Sequence, residues 1–437
     1  MSERRRVVVT GIGLLSALGD EARLAERLFS GVGGIARLRS LDPMVYRSQS
    51  AAELEPEALA TALAHLGLRA QDRTTDMAVV VAGQALCAAG LLPAGPAEAG
   101  PAPAGTGGAG MPAAGARAAP GSPGESTGVV FGTGSGPSHA LQESWDTYAQ
   151  KGGRLLRPTT VPRCMANAVS SQVSIQYGLR GGNYVVVSSC SSSTVAIGIG
   201  YRSVLHGYAE RVLCGGSESM FTPALYASWD NLGVMSRHPE PARASRPFDL
   251  DRDGFVLGEG AGALVLESLA SAQARGAPIR AEVLGFGESS DGTHITRPSV
   301  EGQEQAMRQA LRSAELPPSA VDFVNAHGTG TKANDATEAE AIAAVFGAAG
   351  ARPWVASSKP FFGHLLGAAG VVETIACIAQ LEHGRLHGNP NLTQPDPACA
   401  VRLVGRAAMA APLRIGMKNS FGFGGGNATL ILKRYED

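Results

Sequence analysis

Short, predominantly apolar runs rich in β-branched residues recur along the chain, at Val7-Val8-Val9, Thr127-Gly-Val-Val-Phe, Tyr184-Val-Val-Val, Arg211-Val-Leu-Cys, Ala261-Gly-Ala-Leu-Val-Leu and Val321-Asp-Phe-Val. Longer stretches rich in Ala and Leu separate them. A strand buried on both faces needs such a continuous run, whereas a half-exposed strand would alternate, so the pattern predicts βαβ units with the sheet covered by helices. The predicted fold class is α/β. After Val265-Leu-Glu the pattern turns polar from Ser268 to Arg280, and a second series of runs opens at Ala281-Glu-Val-Leu-Gly-Phe and ends at Ala428-Thr-Leu-Ile-Leu-Lys. Two halves of similar character, 1–268 and 269–437, are therefore expected to pack as one body, as an ancient duplication would leave them.

Two segments break the pattern. From Leu91 to Ser126 the composition is almost entirely Gly, Pro and Ala; with no periodicity and little to bury, residues 91–126 are expected to form a flexible surface insertion. The first residues, Met1-Ser-Glu-Arg-Arg-Arg before Val7-Val-Val-Thr-Gly-Ile-Gly, have the basic and apolar regions of a secretory signal. Gly11 and Gly13 interrupt the apolar run, and a buried first strand entering a glycine turn is the expectation.

Composition narrows the function classes. With 37 Lys plus Arg against 38 Asp plus Glu, a formal net charge of -1, no global field draws the chain to nucleic acid or to an anionic membrane. No apolar run reaches the roughly 18 residues that cross a bilayer. The six cysteines lack CxxC spacing and neighbouring His, which argues against zinc and a disulfide framework and for a reducing cytoplasm.

Four elements carry candidate chemistry. In Val185-Val-Val-Ser-Ser-Cys-Ser-Ser-Ser-Thr, a strand passes through small residues into a helical pattern, placing Cys190 at a helix N-terminus, where the dipole favours thiolate over thiol. The other five cysteines are read as inert core residues. In Val324-Asn-Ala-His-Gly-Thr-Gly-Thr, a strand delivers His327 into a loop whose glycines admit substrate and whose Thr329 and Thr331 fix the turn. In Ser357-Ser-Lys-Pro-Phe-Phe-Gly-His-Leu-Leu-Gly-Ala-Ala-Gly, His364 enters a small-residue helix, with Lys359 and Glu373 able to compensate one another's charge. Asn419-Ser-Phe-Gly-Phe-Gly-Gly-Gly-Asn suits a loop that brings backbone N–H groups against a ligand, and lacks the Lys of a phosphate-binding loop.

Cysteine, HGTGT, K…GHLLGAAG and NSFGFGG, in that order and supported by Ser245-Arg-Pro-Phe-Asp and Arg252-Asp-Gly-Phe-Val-Leu-Gly-Glu-Gly-Ala-Gly, resemble the β-ketoacyl-acyl carrier protein synthases of the elongating, two-histidine type, within the thiolase-like condensing enzymes. The resemblance implies a thiolase-like fold of duplicated βαβ halves in a layered α-β-α-β-α body. It implies Cys190 as nucleophile, His327 and His364 as the catalytic pair, Lys359 as a supporting cation, Glu373 as a structural acid and Phe423 as a gate. Backbone N–H groups of Cys190 and Phe423 would form the oxyanion hole, with Gly424 and Gly425 as the gate's hinge. The reaction implied is decarboxylative condensation of an acyl thioester on Cys190 with malonyl-acyl carrier protein. It requires no metal or other cofactor, because the carrier's phosphopantetheine holds the substrates. The implied partners are an acyl carrier protein and a second ketosynthase subunit, either a second copy or a chain-length factor.

The chain departs from the pattern at Ser189, where Ala is usual, at Gly426, where Thr is usual, and at the bulky Pro360-Phe361-Phe362; these bear on chain length and substrate. Three rival readings fit the residues less well. A non-catalytic chain-length-factor subunit would typically lack the cysteine, and a thiolase acting on coenzyme A esters would use a second cysteine as base. An NAD-dependent oxidoreductase would need a third glycine where Ser16 stands and an acidic strand end about 20 residues later.

Overall fold

The structure, a computed structural model, describes residues 4–95 and 110–436. Ten strands form one hydrogen-bonded sheet: β1 (Val7–Leu15), β2 (Gly128–Gly132), β3 (Asn183–Val186), β4 (Arg211–Glu218), β5 (Gly260–Ser268), β6 (Ala281–Ser290), β7 (Phe323–Asn325), β8 (Trp354–Ala356), β9 (Ile415–Phe421) and β10 (Gly426–Arg434). Their order is β3-β2-β4-β5-β1-β6-β10-β9-β7-β8. The first five strands and the last five thus repeat one topology, 3-2-4-5-1. Strand directions repeat as well: β2 is parallel to β3 and β4, and β5 is antiparallel to β4 and β1. Likewise β7 is parallel to β8 and β9, and β10 is antiparallel to β9 and β6. The halves join through a short antiparallel ladder pairing Val7 with Val283 and Val9 with Ala281.

Helices repeat in the same way. The first half inserts α1 (Arg73–Ala88), α2 (Ala168–Tyr177) and α3 (Ser192–Leu205), and the second inserts α4 (Val300–Ala314), α5 (Lys332–Gly347) and α6 (Ala369–His383). Helices α3 and α6 pack on each other, and each touches strands of both half-sheets; α1 with α2, and α4 with α5, cover the outer faces. The result is five layers, α-β-α-β-α.

This layering explains the predominantly apolar runs. Val130, Val212, Cys214, Leu264 and Leu266 face the central layer with α3 and α6. Their alternate neighbours Val129, Phe131, Leu213, Ala263 and Val265 face α1 and α2. In the second half Val324, Val355, Met417 and Ile431 pack with the outer cluster that includes Met307 and Ile342.

Two expectations change. Strand β1 does not turn at its glycines but runs through Gly11 and Gly13 to Leu15. Helix α1 lies so close that a Cβ at these positions would stand 2.1 Å from the Ala85 carbonyl oxygen and 2.0 Å from that of Val81, so the glycines serve close packing. The insertion expected at 91–126 falls partly outside the described residues, and its flanks are tied down. Gly95 donates to the Met111 carbonyl at 2.9 Å, Ala118 donates to that of Tyr177 at 2.8 Å, and the Arg211 guanidinium donates to that of Pro123 at 3.1 Å. Leu92, Met111 and Ala118 supply enough apolar surface to join the core beside α1. Among the described residues, no helix is long and apolar enough to cross a membrane.

Candidate active site

Strand β3 leaves the sheet into Ser188 and a single tight turn, Ser189–Ser191, before α3 begins at Ser192. Hydroxyls lock this turn: Ser191 Oγ donates to the Ser188 carbonyl at 2.8 Å, and Ser192 Oγ donates to that of Ser189 at 2.7 Å while accepting from the Ser188 N–H at 2.8 Å. Ser189 holds φ at 49°, a left-handed conformation that a side-chain-bearing residue adopts only when its surroundings enforce it. Cys190 follows, buried at the tip of α3.

The thiolate expected there is not the resting state. Burial pushes the Cys190 thiol up to about 11, outweighing the opposite pull of Lys359 and of the Phe423 N–H. A helix tip favours an anion, but here nearly complete removal from water costs the anion more.

His364 reaches the sulfur from the other half of the molecule, with its Nε2 3.1 Å from Cys190 Sγ. It lies on the loop between the short helix Lys359–Phe362 and α6, not on a helix, and its backbone is paired with Leu257. The Leu366 N–H donates to His364 Nδ1 at 3.3 Å. In the uncharged ring this places the proton on Nε2, making His364 a donor toward the sulfur.

His327 stands just beyond the end of β7, its ring centroid 5.3 Å from that of His364 and the rings nearly perpendicular. Glu338 of α5 pins the loop by accepting from the N–H groups of His327 and Gly328, both at 2.8 Å. Thr329 and Thr331 share a hydroxyl contact at 2.9 Å, and Thr331 caps α5. Lys359 Nζ donates to the His327 carbonyl at 2.6 Å, forms a 2.5 Å ion pair with Glu373 Oε1, and lies 3.5 Å from His327 Nδ1. An ammonium facing Nδ1 fixes the His327 proton on Nε2 as well, so both rings present Nε2–H.

Burial holds both imidazoles well below the ordinary histidine range, and the positive charges of Lys359 and Lys418 push in the same direction. Cys190, His327 and His364 therefore form one cluster of a thiol and two uncharged donors, with ligand atoms within 4.8 Å of one another. Such a set has the composition of a soft-metal site, but two buried ammonium groups immediately behind it oppose a bound cation.

Phe423 lies on the turn between β9 and β10, with its ring stacked on Trp229 at 6.1 Å and its N–H directed at the Cys190 sulfur. Gly424 sits at φ 82°, and its N–H donates to the carbonyl of exposed Ile295 at 2.7 Å. A cavity of about 120 Å³ joins Cys190, both histidines and Phe423 to the exposed Ile295 and Arg297. Small residues let the halves meet: a Cβ on Gly370 at the start of α6 would lie 2.4 Å from the Thr194 nitrogen of α3.

The candidate catalytic residues named from the sequence converge here: Cys190, His327 and His364 face one another, Lys359 and Glu373 lie behind, and Phe423 to Gly425 form the lip. Phe361 and Phe362 do not line this cavity; they are fully buried in the central core, Phe361 against His387, where their bulk fills space between layers. Sequence reasoning missed Glu218, Glu338, Trp229 and Lys418. The first two lacked any local signal, whereas Lys418, next to the glycine loop and between Met417 and Asn419 in a buried strand, was a charge at an inward position and could have been flagged.

Two family models match the chain. Residues 4–272 match the family model for the β-ketoacyl synthase N-terminal domain, and residues 280–393 match that for its C-terminal domain. The chain is 35% identical over 439 residues to 3-oxoacyl-[acyl-carrier-protein] synthase 2 of Coxiella burnetii, covering 100% of each, and 34% identical over 438 residues to that of Synechocystis sp., covering 99% of each. Among solved structures it is similar to the ishigamide ketosynthase/chain length factor, with TM-score 0.86, 33% identity, and coverage of 99% of this chain and 100% of that one.

Proposed function

The chain belongs to the β-ketoacyl synthase family, and from that premise we propose that Cys190, His327 and His364 are the groups with which it condenses an acyl thioester with malonyl-acyl carrier protein. The overall reaction is that of a 3-oxoacyl-acyl carrier protein synthase, an acyltransferase of fatty-acid or polyketide synthesis. The observation that carries the site assignment is the convergence of one sulfur and two Nε2–H donors from opposite halves on one buried point.

In the first half-reaction the Cys190 sulfur attacks a carrier-bound acyl thioester. The new S–acyl bond replaces the old one, and the proton leaving Cys190 ends on the released carrier thiol. N–H groups of Cys190 and Phe423 receive the oxyanion, and the Nε2–H of His364 stabilises the sulfur while it is anionic. In the second, malonyl thioester loses carbon dioxide, and the enolate oxygen accepts from the Nε2–H groups of His327 and His364. The carbanion attacks the acyl-Cys190 carbonyl, so that the new carbon–carbon bond replaces the S–acyl bond; the Cys190 thiolate is expelled and takes a proton from water to restore the thiol, and the 3-oxoacyl product leaves on the carrier two carbons longer. One well-placed donor is worth about 3 to 4 kcal/mol in such a site. No metal or redox cofactor enters these steps.

Arg297 at the cavity mouth is the basic group best placed to meet the phosphate of a carrier's phosphopantetheine. The partner subunit is proposed to bind along β3, the edge strand of the sheet, where Tyr184 and, just past the strand, Val187 are exposed, with Trp145 and Ile175 exposed on nearby helices and Met165 on the loop between them. An unpaired apolar edge of this kind is a template for pairing with a second chain. A second copy and a chain-length-factor subunit both fit that face, and the compartment proposed is the cytoplasm. The presence of Cys190 and both histidines disfavours a purely non-catalytic role.

The test is reconstitution with acyl-carrier primers and malonyl-carrier extender, followed by mass spectrometry of carrier-bound products. A 3-oxoacyl product two carbons longer is expected. Extension from acetyl-coenzyme A but not from malonyl-carrier would replace this reading with a thiolase, and native mass spectrometry will report the subunit composition.

A further inference from the structure

Lys418 lies inside strand β9 with no exposure to solvent. Its Nζ is surrounded by three acceptors from three elements: Glu373 Oε2 on α6 at 3.2 Å, Thr194 Oγ1 on α3 at 3.1 Å, and Ser420 Oγ on its own strand. The two hydroxyls accept hydrogen bonds from the ammonium, whereas Glu373 Oε2 meets it as an ion pair and has no hydrogen-bond partner of its own. The opposite oxygen of the same carboxylate, Glu373 Oε1, pairs with Lys359 at 2.5 Å. One buried anion therefore serves two buried cations, and the pocket behind the imidazoles carries one positive charge in excess.

A lone buried charge is expensive, and a fold that only needed to anchor Glu373 could do so with Lys359 alone. We propose that Lys418 is a positioning residue for the decarboxylation half-reaction: it orients Glu373 between two ammonium groups, and the surplus charge keeps His327 and His364 as uncharged Nε2–H donors. The inference rests on the function proposed above. Other titratable groups around the cluster are few. Cys377 of α6 faces Lys418, His387 lies near Glu373, Glu338 sits under the His327 loop and Glu218 behind Cys190. Burial pushes Glu338 up to about 6 and Glu218 up to about 7, so neither brings a full compensating charge to the acid side of neutrality. Burial also works against the ammonium of Lys418 itself, and the Glu373 carboxylate offsets that cost.

The sign of the effect is fixed by Coulomb's law. Removing a cation near an imidazole lets the ring take a proton at higher pH, so the acid limb of malonyl-carrier decarboxylation moves upward. For one charge several ångströms away at an effective dielectric near ~20, the displacement is about one pH unit. The experiment measures decarboxylation of malonyl-carrier from pH 4.5 to 8 for the wild type, Lys418→Met and Lys418→Met/Glu373→Gln, with melting curves confining the comparison to folded enzyme. The expected result is an upward shift in Lys418→Met and a return toward wild type in the double variant, where Lys359 alone supplies the single positive charge. Lys418→Gln serves in place of Lys418→Met should the latter not fold. An acid limb unchanged in the single variant, or still displaced in the double variant, overturns the proposal and leaves Lys418 a structural strut. A wild-type enzyme that decarboxylates malonyl-carrier at no pH would instead refute the functional reading.

Discussion

The two halves share a strand order, a set of strand directions and a helix placement, yet at equivalent points they carry different chemistry. The loop after the third strand bears Cys190 in the first half and Lys359 in the second. The loop after the second strand is pinned by a buried carboxyl in both, but Glu218 comes from the end of β4 and accepts from Gly134 and Gly367, whereas Glu338 comes from α5 and accepts from His327. The loop joining the fourth and fifth strands runs from Glu218 toward Gly260 as a long excursion in one half and is the tight Gly422–Gly425 turn in the other. A duplicated frame thus supplies two helix tips at one central point, and the loops place a thiol on one tip and a lysine on the other.

The sharpest way to break this division of labour is to remove the sulfur. Cys190→Ala is expected to show no acyl adduct by intact-protein mass spectrometry and no condensation above background, and an adduct persisting on the variant would move the nucleophile elsewhere. Next in size is the histidine half: His327→Ala and His364→Ala should each slow decarboxylation by roughly 10²- to 10³-fold, the loss typical of one oxyanion donor. Release of labelled carbon dioxide from malonyl-carrier measures it. Lys359→Ala should impair decarboxylation more than acyl transfer, because its partners are the His327 ring and carbonyl; equal losses in the two half-reactions would dissociate it from the histidines. It should also cost about 3 kcal/mol in chemical denaturation, the lower end for a broken buried pair.

Smaller effects test the lip and the paired carboxyls. Gly424→Ala places a Cβ at φ 82°, a cost of about 1 to 2 kcal/mol, and it should slow acylation in rapid-quench assays if Phe423 must swing aside; an unchanged rate would remove the gate. Glu218 and Glu338 are both raised by burial, to about 7 and about 6. A carboxyl whose folded value is raised stabilises the fold below its unfolded value near 4.5 and loses that contribution as pH climbs through 6 to 7. Melting temperature should therefore fall by a few degrees, about 2 to 4 per kcal/mol, between pH 5 and 8, and replacing both with Gln should flatten that slope.

Much of this was legible in the chain. Predominantly apolar runs meant strands covered on both faces, and the structure shows both faces occupied by helices. The order of Cys190, HGTGT, GHLLGAAG and NSFGFGG, through its resemblance to a known family, pointed to the side chains that the fold brings together around one cavity. The turn expected at Gly11 is a continuous strand instead, because a glycine's local signal is the same whether it bends the chain or admits a neighbouring helix; only the position of α1 distinguishes them. The thiolate expectation failed for a related reason. A helix dipole is a property of the local sequence, whereas the depth of burial that opposes it belongs to the whole fold.

The sequence by itself determined which elements form and which side chains can react, since periodicity, turn residues and side-chain chemistry are written residue by residue. The tertiary structure alone decided that Cys190 and His364, 174 positions apart, stand 3.1 Å from one another, that Glu373 answers to two lysines, and that Phe361 and Phe362 fill the core instead of the cavity. Those outcomes depend on how two half-sheets close over a shared pair of helices. Long-range packing and the dielectric it creates have no counterpart in any stretch of neighbouring residues.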